Sequence, residues 1–586
     1  MLALRSSPIA STSRVLLRST APRQAVRFNS TASSSGSSSG SAFQRSPRLT
    51  AAAVALLGTS AYIATRPSAE PVEASTAALL DPNDPLSALS PQALHQATAH
   101  LQLVGLADLL RQYVVYLGSS QAALVESGPW MLKKLEWARD NVPVLGSAVW
   151  GFFSVTMKST FYSVFVGGST VPDCAPLVNS YSANGVGCLL NYSAEASVDG
   201  SAKLIGVNDA HVNEAVNALK AAAEFEAPGK ATTSTAYSIK PTLLAIKLTG
   251  LIFEPQLLAR ATRALVNSSE YARGSLSSST LFPESPELSA EDKENLQKLH
   301  AGLRQIAAEA KKGGVRLLVD AEQTWFGSPR VIDRYVDLLS EEFNKVTPEN
   351  SVNGPAIPIV HNTYQAYLRS APHRMAAAIA HADANNYSFG AKLVRGAYVE
   401  AERKRWEING SVGDVPVWSN KQETDDCYDS CALMLEKRIA EEVIEAKKGK
   451  AGTGAFYASH NGTSVRKVLT ALKDAGLVTV TDKGLEIDAR IRGRVSFAQL
   501  LGMSDNLTNA LVSMTLPPAE NAVSTVPIVI KSVPYASVDQ ALPYLIRRAN
   551  ENQSILQSDP TSGRGGAKGE RKAVGREIRR RLGIPF

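Results

Sequence analysis

From about residue 236 onward, short apolar runs alternate with helical stretches, and this alternation constrains the fold more than any other feature of the chain. Seven runs recur in order: LLAIKLTG, VRLLVD, AIPIVHNTYQ, GAKLVRG, GAFYASH, RVSFAQLLG and VPIVIKSVP. Runs that are apolar throughout, rather than at every second position, are typical of strands buried on both faces of a parallel sheet. Seven repeats favour an α/β protein with a (βα)8 barrel over a doubly wound sheet, and no G-x-G-x-x-G motif follows the first run.

Composition divides the chain into five segments. We predict a transit peptide at 1–45, a linker at 46–84, a mainly helical region at 85–235, the barrel with its last helix at 236–566 and a basic tail at 567–586. Apolar residues make up 44% and charged residues 20% of the chain, which excludes wholesale disorder. Residues 49–65 carry no charge, but they fall short of the ~20 residues that usually span a bilayer, so they are a weak candidate for a membrane segment.

The positive charge of the chain is concentrated at its N-terminus. The net charge is +7, yet residues 1–69 contain eight arginines and no acidic residue. Without that segment, basic and acidic residues nearly balance. A start rich in Arg and Ser and poor in acids is typical of a mitochondrial transit peptide. A basic surface for nucleic acid is therefore not indicated, and we expect no nucleic-acid partner.

The sequence contains no strong metal-binding motif. The chain has four cysteines but no C-x-x-C spacing, and Cys427 and Cys431 lie four residues apart on a predicted helix. His460 has no second histidine or cysteine at ligand spacing. We therefore expect no metal site.

Polar residues stand at the ends of the predicted strands, where barrel enzymes carry their chemistry. The first three runs supply Lys247, Asp320 and Gln365. The later runs supply Lys392, Arg395, Gly396, Ala397, Tyr398, Ser459, His460, Asn461 and Gln499. Several cations with few carboxylates suit a cofactor that bears phosphate, or a substrate that bears a carboxylate. These residues alone also allow a barrel enzyme that acts on a phosphorylated sugar.

Two adjacent arginines, Arg547 and Arg548, lie on a predicted helix near the C-terminus. Glu551 follows at a spacing that lets it pair with Arg548 on one helix face. Adjacent side chains point about 100° apart on a helix, so both arginines reach one ligand only if the helix end faces it. We interpret the later run of Arg579, Arg580 and Arg581 as a solvated basic stripe or a contact for anionic lipid headgroups.

The strings LLVDAE, NTYQAYL, GAKLVRGAY, ASHN, FAQLLGM and PYLIRRANEN occur in this order, after FYSVFVGG and LLNYSAEA. Over roughly residues 150–566 the chain resembles the FAD-dependent proline dehydrogenase family in its mitochondrial eukaryotic form. The resemblance implies a distorted (βα)8 barrel with FAD at the C-terminal ends of its strands. It also implies a last helix that crosses the barrel mouth and presents the arginine pair.

The resemblance assigns residues to substrate and catalysis. Arg547 and Arg548 would clamp the substrate carboxylate, with Lys247 beneath them and Glu551 holding the pair. Ser532 and Tyr544 would also contact the substrate. Asp320 would belong to the hydrogen-bond network of the site, and Lys392 would lie near flavin N5, where bacterial relatives commonly have arginine.

The resemblance also assigns residues to the cofactor. FAD would be lined by Gln365, Lys392, Arg395, Gly396, Ala397, Tyr398, Ser459, His460, Asn461 and Gln499. Gly396 would let the backbone approach the cofactor closely. The implied reaction oxidises L-proline to Δ1-pyrroline-5-carboxylate by hydride transfer to flavin and passes the electrons to ubiquinone. The implied location is the matrix side of the mitochondrial inner membrane.

Three alternatives stay open. Ser532 stands where many proline dehydrogenases carry a tyrosine, and serine leaves room and a hydroxyl partner for 4-hydroxyproline. A hydroxyproline dehydrogenase of the same family is therefore the nearest alternative. A flavin-free barrel enzyme with a phosphorylated substrate, and a catalytically inactive scaffold on the inner membrane, are the other two.

Overall fold

The computed structural model describes residues 84–584, except 91–92, 95–100, 103, 143, 194–205, 226–238, 269–279, 327–329, 352–353, 412, 446–448, 482–483, 516–525 and 555–565. The predicted transit peptide and the uncharged segment 49–65 lie outside the described residues. Within the described part, no helix combines the length and apolarity needed to cross a membrane.

Eight parallel strands close into a barrel, which confirms the predicted fold class. The strands are β1 (Val186–Tyr192), β2 (Thr242–Ile246), β3 (Arg316–Val319), β4 (Val360–Gln365), β5 (Phe389–Val394), β6 (Thr453–Ala458), β9 (Val495–Leu500) and β10 (Val529–Tyr535). Each strand pairs with its neighbour along the chain, except that β6 pairs with β9 across the antiparallel hairpin of β7 (Val478–Thr481) and β8 (Gly484–Ile487). The seven predicted apolar runs correspond to β2–β6, β9 and β10.

The first strand lies earlier in the chain than predicted. β1 belongs to the segment 85–235 that the sequence predicts to be mainly helical, so the barrel begins at Val186 rather than at residue 236. This strand closes the ring, because it pairs with β10 on one side and with β2 on the other. The domain boundary drawn from composition is corrected by about 50 residues on this point.

Helices surround the barrel and precede it. They are α1 (Leu106–Ser119), α2 (Ala122–Asn141), α3 (Leu145–Met157), α4 (Val171–Ala183), α5 (Asp209–Glu224), α6 (Gln256–Asn267), α7 (Ala290–Gly313), α8 (Arg330–Phe343), α9 (Ala371–Ala384), α10 (Val399–Ile408), α11 (Lys421–Ile444), α12 (Gly462–Asp474), α13 (Asp505–Met514), α14 (Val538–Ser554) and α15 (Gly566–Leu582). A π-helical turn, Lys158–Tyr162, follows α3. Local sequence sets several starts: Ser289 and Asp292 form a reciprocal capping box at α7.

The core has two layers. Inside the barrel, apolar side chains from several strands pack together, among them Leu189, Leu243, Leu318, Phe456 and Ile530. Outside it, the opposite strand faces pack against the helices in two larger clusters. This is why the strands are apolar on both faces and why the sequence runs are continuous. The filled interior leaves the C-terminal end of the barrel as the place for a ligand.

The C-terminal helices are held by the helices that precede the barrel. α14 contacts α1, α2 and α3, and α15 packs along α1. The basic run on α15 differs from the predicted solvated stripe, because Arg581 donates to the carbonyls of Leu101 and Gln102 at 2.7 and 2.8 Å. Arg580 and Arg581 also pair with Glu577. The segment predicted as a basic tail is therefore a docked helix.

Candidate active site

A cavity of about 330 Å³ lies at the C-terminal ends of the barrel strands. Its lining brings together most of the residues that the sequence singles out: Lys247, Asp320, Gln365, Lys392, Arg395, Gly396, Ala397, Tyr398, Ser459, His460, Gln499, Ser532, Tyr544, Arg547 and Arg548. Its volume falls within the range of about 300–1,000 Å³ that is typical of small-molecule sites. The predicted residues thus converge on one concave site.

The lining is strongly cationic. Lys247, Lys392, Arg395, Arg547 and Arg548 face the cavity, and Asp320 is the single carboxylate among the described lining residues. An excess of cations in a partly desolvated cavity favours an anionic ligand, because carboxylate and phosphate oxygens accept several charge-assisted hydrogen bonds.

Lys392 and Asp320 form an ion pair within this lining. The Lys392 Nζ donates to Asp320 Oδ1 at 2.6 Å, and both side chains are about nine-tenths buried. Lys392 lies on β5, and Asp320 directly follows β3, so the pair crosses the position of β4. The ion pair fixes the Lys392 ammonium group at the floor of the cavity.

Arg395 is held on all its nitrogen atoms. Its Nη1 and Nη2 donate to the hydroxyls of Ser459 and Ser464 at 2.8 and 2.9 Å, and its Nε contacts Asp425. Its guanidinium lies 4.3 Å from the centroid of the Tyr428 ring. Burial tends to raise the pKa of Asp425, but the charges of Arg395 and of a neighbouring lysine outweigh it, and the net pKa lies below its usual value. Arg395 is therefore a rigid part of the cavity wall.

Tyrosines flank the arginine pair of α14. The Arg547 guanidinium lies 5.5 Å from the Tyr398 ring centroid and 5.9 Å from that of Tyr544. Arg548 lies 5.2 Å from the Tyr544 ring. These distances are typical of cation–π contacts. Such contacts hold a guanidinium group against an aromatic ring without using its N–H groups as hydrogen-bond donors. Glu551, which the sequence assigns to this holding role, has a side chain outside the described part of the structure.

The turn after β2 positions Lys247. Glu322, which does not line the cavity, accepts a hydrogen bond from the Thr249 N–H at 3.1 Å and contacts the Thr249 hydroxyl. Burial raises the pKa of Glu322, although these donors and Lys247 lower it in part. The buried carboxyl group thus ties the loop after β3 to the turn that carries Lys247.

Ser532 lines the cavity from β10, between β9 and β1. Its neighbour Tyr535 could in principle fill the space that a serine leaves. Instead, Tyr535 is buried outside the lining, with its ring 5.4 Å from the ring of Tyr192. The space beside Ser532 therefore remains part of the cavity.

Asn461 has a structural role that its position in the ASHN string does not reveal. Its Oδ1 accepts from the Thr463 N–H at 3.0 Å, which caps the start of α12, and Asn461 is absent from the cavity lining. The two residues that precede this cap, Ser459 and His460, do line the cavity. The His460 Nδ1 lies 2.8 Å from the Ser504 hydroxyl, and Gln499 donates to the Ser459 carbonyl at 3.3 Å.

Gly396 has a reason to be glycine that differs from the predicted one. Its φ is +115°, and an added Cβ would lie 1.7 Å from the ring of Tyr367. Both the backbone conformation and the Tyr367 ring therefore exclude a side chain. Close approach of a cofactor to Gly396 stays a prediction.

Other lining residues escaped the sequence analysis. Asn191, Thr363, Phe456 and Met503 all face the cavity. Asn191 lies near the end of β1, so the missed strand explains the missed residue. Phe456 is an ordinary apolar position in a strand, and no local signal separates it from a core residue.

The buried polar atoms fit a flavin ring. Gln365 Oε1 and Asn191 Oδ1 are buried and have no hydrogen-bond partner among the described residues. Such acceptors need donors, and a flavin ring offers an N–H edge as well as acceptor atoms for Lys392. No group of three or more His, Cys, Asp or Glu side chains at metal-binding spacing occurs in the part of the chain that is described.

Comparison with known proteins gives a consistent result. The family profile described as proline dehydrogenase matches residues 175–558. The chain is 29% identical to "Proline dehydrogenase 1, mitochondrial" of Arabidopsis thaliana over 488 residues, covering 81% of this chain and 83% of that protein. It is 28% identical to "Hydroxyproline dehydrogenase" of Mus musculus over 491 residues, covering 82% and 92%.

A solved structure of proline utilization A from Bdellovibrio bacteriovorus aligns with a TM-score of 0.49 and 15% identity. The alignment covers 86% of this chain and 41% of that protein, so the chain spans less than half of its length.

Proposed function

The chain belongs to the proline dehydrogenase family, and from this premise we propose that it oxidises L-proline with FAD in the cationic cavity and reduces ubiquinone at the matrix side of the mitochondrial inner membrane. Oxidation of L-proline to Δ1-pyrroline-5-carboxylate is the reaction of the family. The observation that carries the site assignment is the convergence of five cations and one carboxylate on a cavity at the strand ends.

The chain's own residues bind the substrate by its charge. Arg547 and Arg548 from α14, with Lys247 from the turn after β2, offer N–H donors to the carboxylate of proline. Holding the carboxylate at a fixed point would also fix the orientation of the substrate ring within the cavity. Orientation of this kind supplies a large share of the catalytic effect in a bimolecular step.

The bound flavin supplies the hydride acceptor. Lys392 presents its ammonium group at the cavity floor, and Asp320 is a positioning residue that holds this group by the ion pair. The substrate nitrogen must be neutral, because its lone pair forms the new C=N bond. A cationic lining favours the neutral amine over the protonated amine, so the same cations that bind the carboxylate help to deprotonate the nitrogen.

FAD would be held by Gln365, Arg395, Gly396, Ala397, Tyr398, Ser459, His460 and Gln499, all of which line the cavity. Asn461 would act indirectly, through the start of α12. Mitochondrial location is supported by the acid-free N-terminus and by relatives whose names include that compartment. Ubiquinone is the acceptor that the family resemblance implies, and the missing dinucleotide motif agrees with it.

Hydroxyproline is a second candidate substrate. The observation that favours it is Ser532 in the cavity lining, with Tyr535 buried elsewhere. Several similar relatives are named hydroxyproline dehydrogenases. A hydroxyl on the substrate ring would find both space and a partner there. We keep L-proline as the main substrate and expect measurable activity with 4-hydroxyproline, because an apolar wall discriminates only weakly, by about 100-fold, against an added hydroxyl.

The test is the rate of quinone reduction by the purified protein with L-proline and with trans-4-hydroxy-L-proline. We expect a yellow protein with flavin absorbance and a higher kcat/KM for L-proline. A colourless protein would point to the flavin-free alternative. A flavin-bearing protein that is inactive with both substrates would point to the inactive scaffold.

A further inference from the structure

Helices α2 and α3 form a hairpin whose contacts fix one face of α3. α3 contains no charged residue. Its buried Trp150 has a ring centroid 4.6 Å from the Arg139 guanidinium of α2. Its Gly146 lies so close to α2 that an added Cβ would meet the Ala138 carbonyl oxygen at 1.9 Å. This inward face is therefore packed against protein.

The outward face of α3 is equally apolar, but it is exposed. Leu145, Val149 and Phe152 follow the i, i+4, i+7 spacing of one helix face, and Phe152 is 72% exposed. Val144, in the turn before the helix, is 85% exposed and has a φ of +61°. An uncharged helix that exposes several large apolar side chains along one face is ordinarily covered by other protein or by a membrane. This face therefore requires a covering partner.

The surroundings of this face match a lipid surface. Trp130 and Trp137 lie seven residues apart on α2 and are 64% and 59% exposed. Lys133, Lys134 and Lys158 are also exposed. Tryptophan and lysine beside an apolar helix face are typical of helices that lie in the interface of a bilayer with anionic lipids. The nearby Asp140 is paired with Arg139 at 2.8 Å, which weakens its repulsion of anionic headgroups.

We propose that the α2–α3 hairpin docks the enzyme onto a bilayer that contains anionic lipid, with Val144, Leu145, Val149 and Phe152 inserted among the acyl chains. This inference rests on the proposed function, because the proposed acceptor, ubiquinone, is dissolved in the bilayer. α2 and α3 both contact α14, the helix that carries Arg547 and Arg548. The docking face and the wall of the cavity therefore belong to one packed unit.

Vesicle flotation tests the docking face on the full-chain holoenzyme. The vesicles contain phosphatidylcholine with or without cardiolipin, and the variant is Phe152→Glu. The control is Ile444→Glu, which places the same charge on a residue that is 69% exposed at the end of α11. We expect the wild type and the control to bind cardiolipin vesicles. Phe152→Glu should bind them about tenfold more weakly or worse, because the variant lacks the phenylalanine side chain that would insert into the bilayer.

A second measurement separates the possible occupants of the face. Brominated phosphatidylcholine should quench part of the tryptophan fluorescence, and Trp137→Phe should reduce this quenching. Undiminished vesicle binding by Phe152→Glu would overturn the proposal and direct attention to segment 49–65. A change in oligomeric state without a change in vesicle binding, measured by light scattering, would overturn it in favour of a second copy of the chain.

The electron acceptor distinguishes this inference from the proposed function. With a soluble dye, Phe152→Glu should oxidise L-proline at the wild-type rate. With ubiquinone embedded in cardiolipin vesicles, its rate should fall about tenfold at limiting lipid. If Phe152→Glu and the wild type have equal rates with the soluble dye and also with vesicle-embedded ubiquinone, the docking face is rejected and the proposed proline oxidation still stands. If the wild type does not oxidise L-proline with the soluble dye, the proposed function is rejected, whether or not the protein binds vesicles.

Discussion

The arginine pair of α14 shows how two adjacent residues come to line one cavity. Side chains about 100° apart on a helix normally point to different surroundings. Here both line the cavity, and the rings of Tyr398 and Tyr544 fix the guanidinium of Arg547 between them. Without structural context, an arginine pair on a helix is more often a solvated basic stripe, and the position of both residues in the cavity lining excludes that interpretation here.

Replacing Arg548 with methionine tests the carboxylate clamp. Loss of a buried, charge-assisted contact costs about 2–5 kcal/mol, so we expect kcat/KM for L-proline to fall by roughly 30- to several thousand-fold. Flavin content, measured by absorbance, should stay at the wild-type level. The matched control is Arg304→Met, which removes a half-exposed arginine that pairs with Glu342 on the surface of α7. Unchanged kcat/KM in Arg548→Met would remove the clamp assignment.

Ser532→Tyr tests substrate breadth. A tyrosine would fill the space beside β10 and exclude the ring hydroxyl of 4-hydroxyproline. We expect the ratio of kcat/KM for hydroxyproline to that for proline to fall, as determined by steady-state kinetics with both substrates. Because Tyr535 is packed against Tyr192, it cannot supply this wall in the wild type without leaving its own site. A ratio that stays constant or rises would show that Ser532 does not set specificity.

At the scale of elements, the two ends of the barrel have different tasks. Polar strand ends line the cavity at the C-terminal end, whereas a buried ion pair joins elements at the opposite end. Arg494, just before β9, contacts Glu442 of α11 and donates to the Thr453 carbonyl at 2.9 Å. Glu442 in turn accepts from the Thr453 N–H at 2.8 Å. The pair ties α11 to β6 and β9, and we expect it to serve stability rather than turnover.

Arg494→Met should therefore destabilise the fold with little effect on KM. Removing Arg494 leaves the buried Glu442 carboxylate with Arg438, at 3.1 Å, as its remaining cationic partner, so we expect a loss at or below the about 3–5 kcal/mol of a fully broken buried pair. Urea denaturation measures this loss. The double variant with Glu442→Gln should recover part of it, because the buried carboxylate that has lost Arg494 is then neutral. If the single variant unfolds at the wild-type urea concentration, the pair contributes nothing to stability.

The contact of α11 with β6 also predicts a pH dependence. Burial raises the pKa of Glu436 to about 8, although the Tyr457 hydroxyl and Arg494 oppose this shift. The folded state therefore keeps a proton that the unfolded chain loses near a pKa of about 4.3. The stabilisation is complete below that value, declines as pH rises, and is lost above about 8. In Glu436→Gln, the free energy of unfolding should change less with pH between these two values, as measured by urea denaturation at several pH values. If the free energy of unfolding falls equally steeply with pH in the wild type and in Glu436→Gln, Glu436 is not the source of the pH dependence.

At the scale of the whole molecule, the sequence predicts the barrel but not its closure. Apolar runs identify β2–β6, β9 and β10, because strands buried on both faces leave a local signal. β1 lies between helical stretches, and its place depends on pairing with β10, which lies more than 300 residues away in the chain. Long-range pairing leaves no local pattern. The same limit explains Asn191, a cavity residue on the missed strand.

Much of the candidate site could also be predicted, and the exceptions have physical causes. Strand ends and the α14 arginines converge as expected, because all parallel strands point their C-terminal ends to one side. Asn461 is the exception at a strand end: an asparagine just before a helix is also a favourable N-cap, and that use takes its side chain. The basic run on α15 is another, since Glu577 on the same helix and carbonyls near α1 use its donors.

The most direct test of the central claim is the anaerobic absorbance spectrum of the purified holoenzyme during titration with L-proline. We predict that the flavin band bleaches, that Δ1-pyrroline-5-carboxylate forms in equal amount, and that Asp320→Ala slows bleaching while its thermal melt still shows a folded protein. Arg548→Met should need far more L-proline for the same bleaching. A bound flavin that stays oxidised at saturating L-proline would contradict the claim that this cavity is a site of proline oxidation.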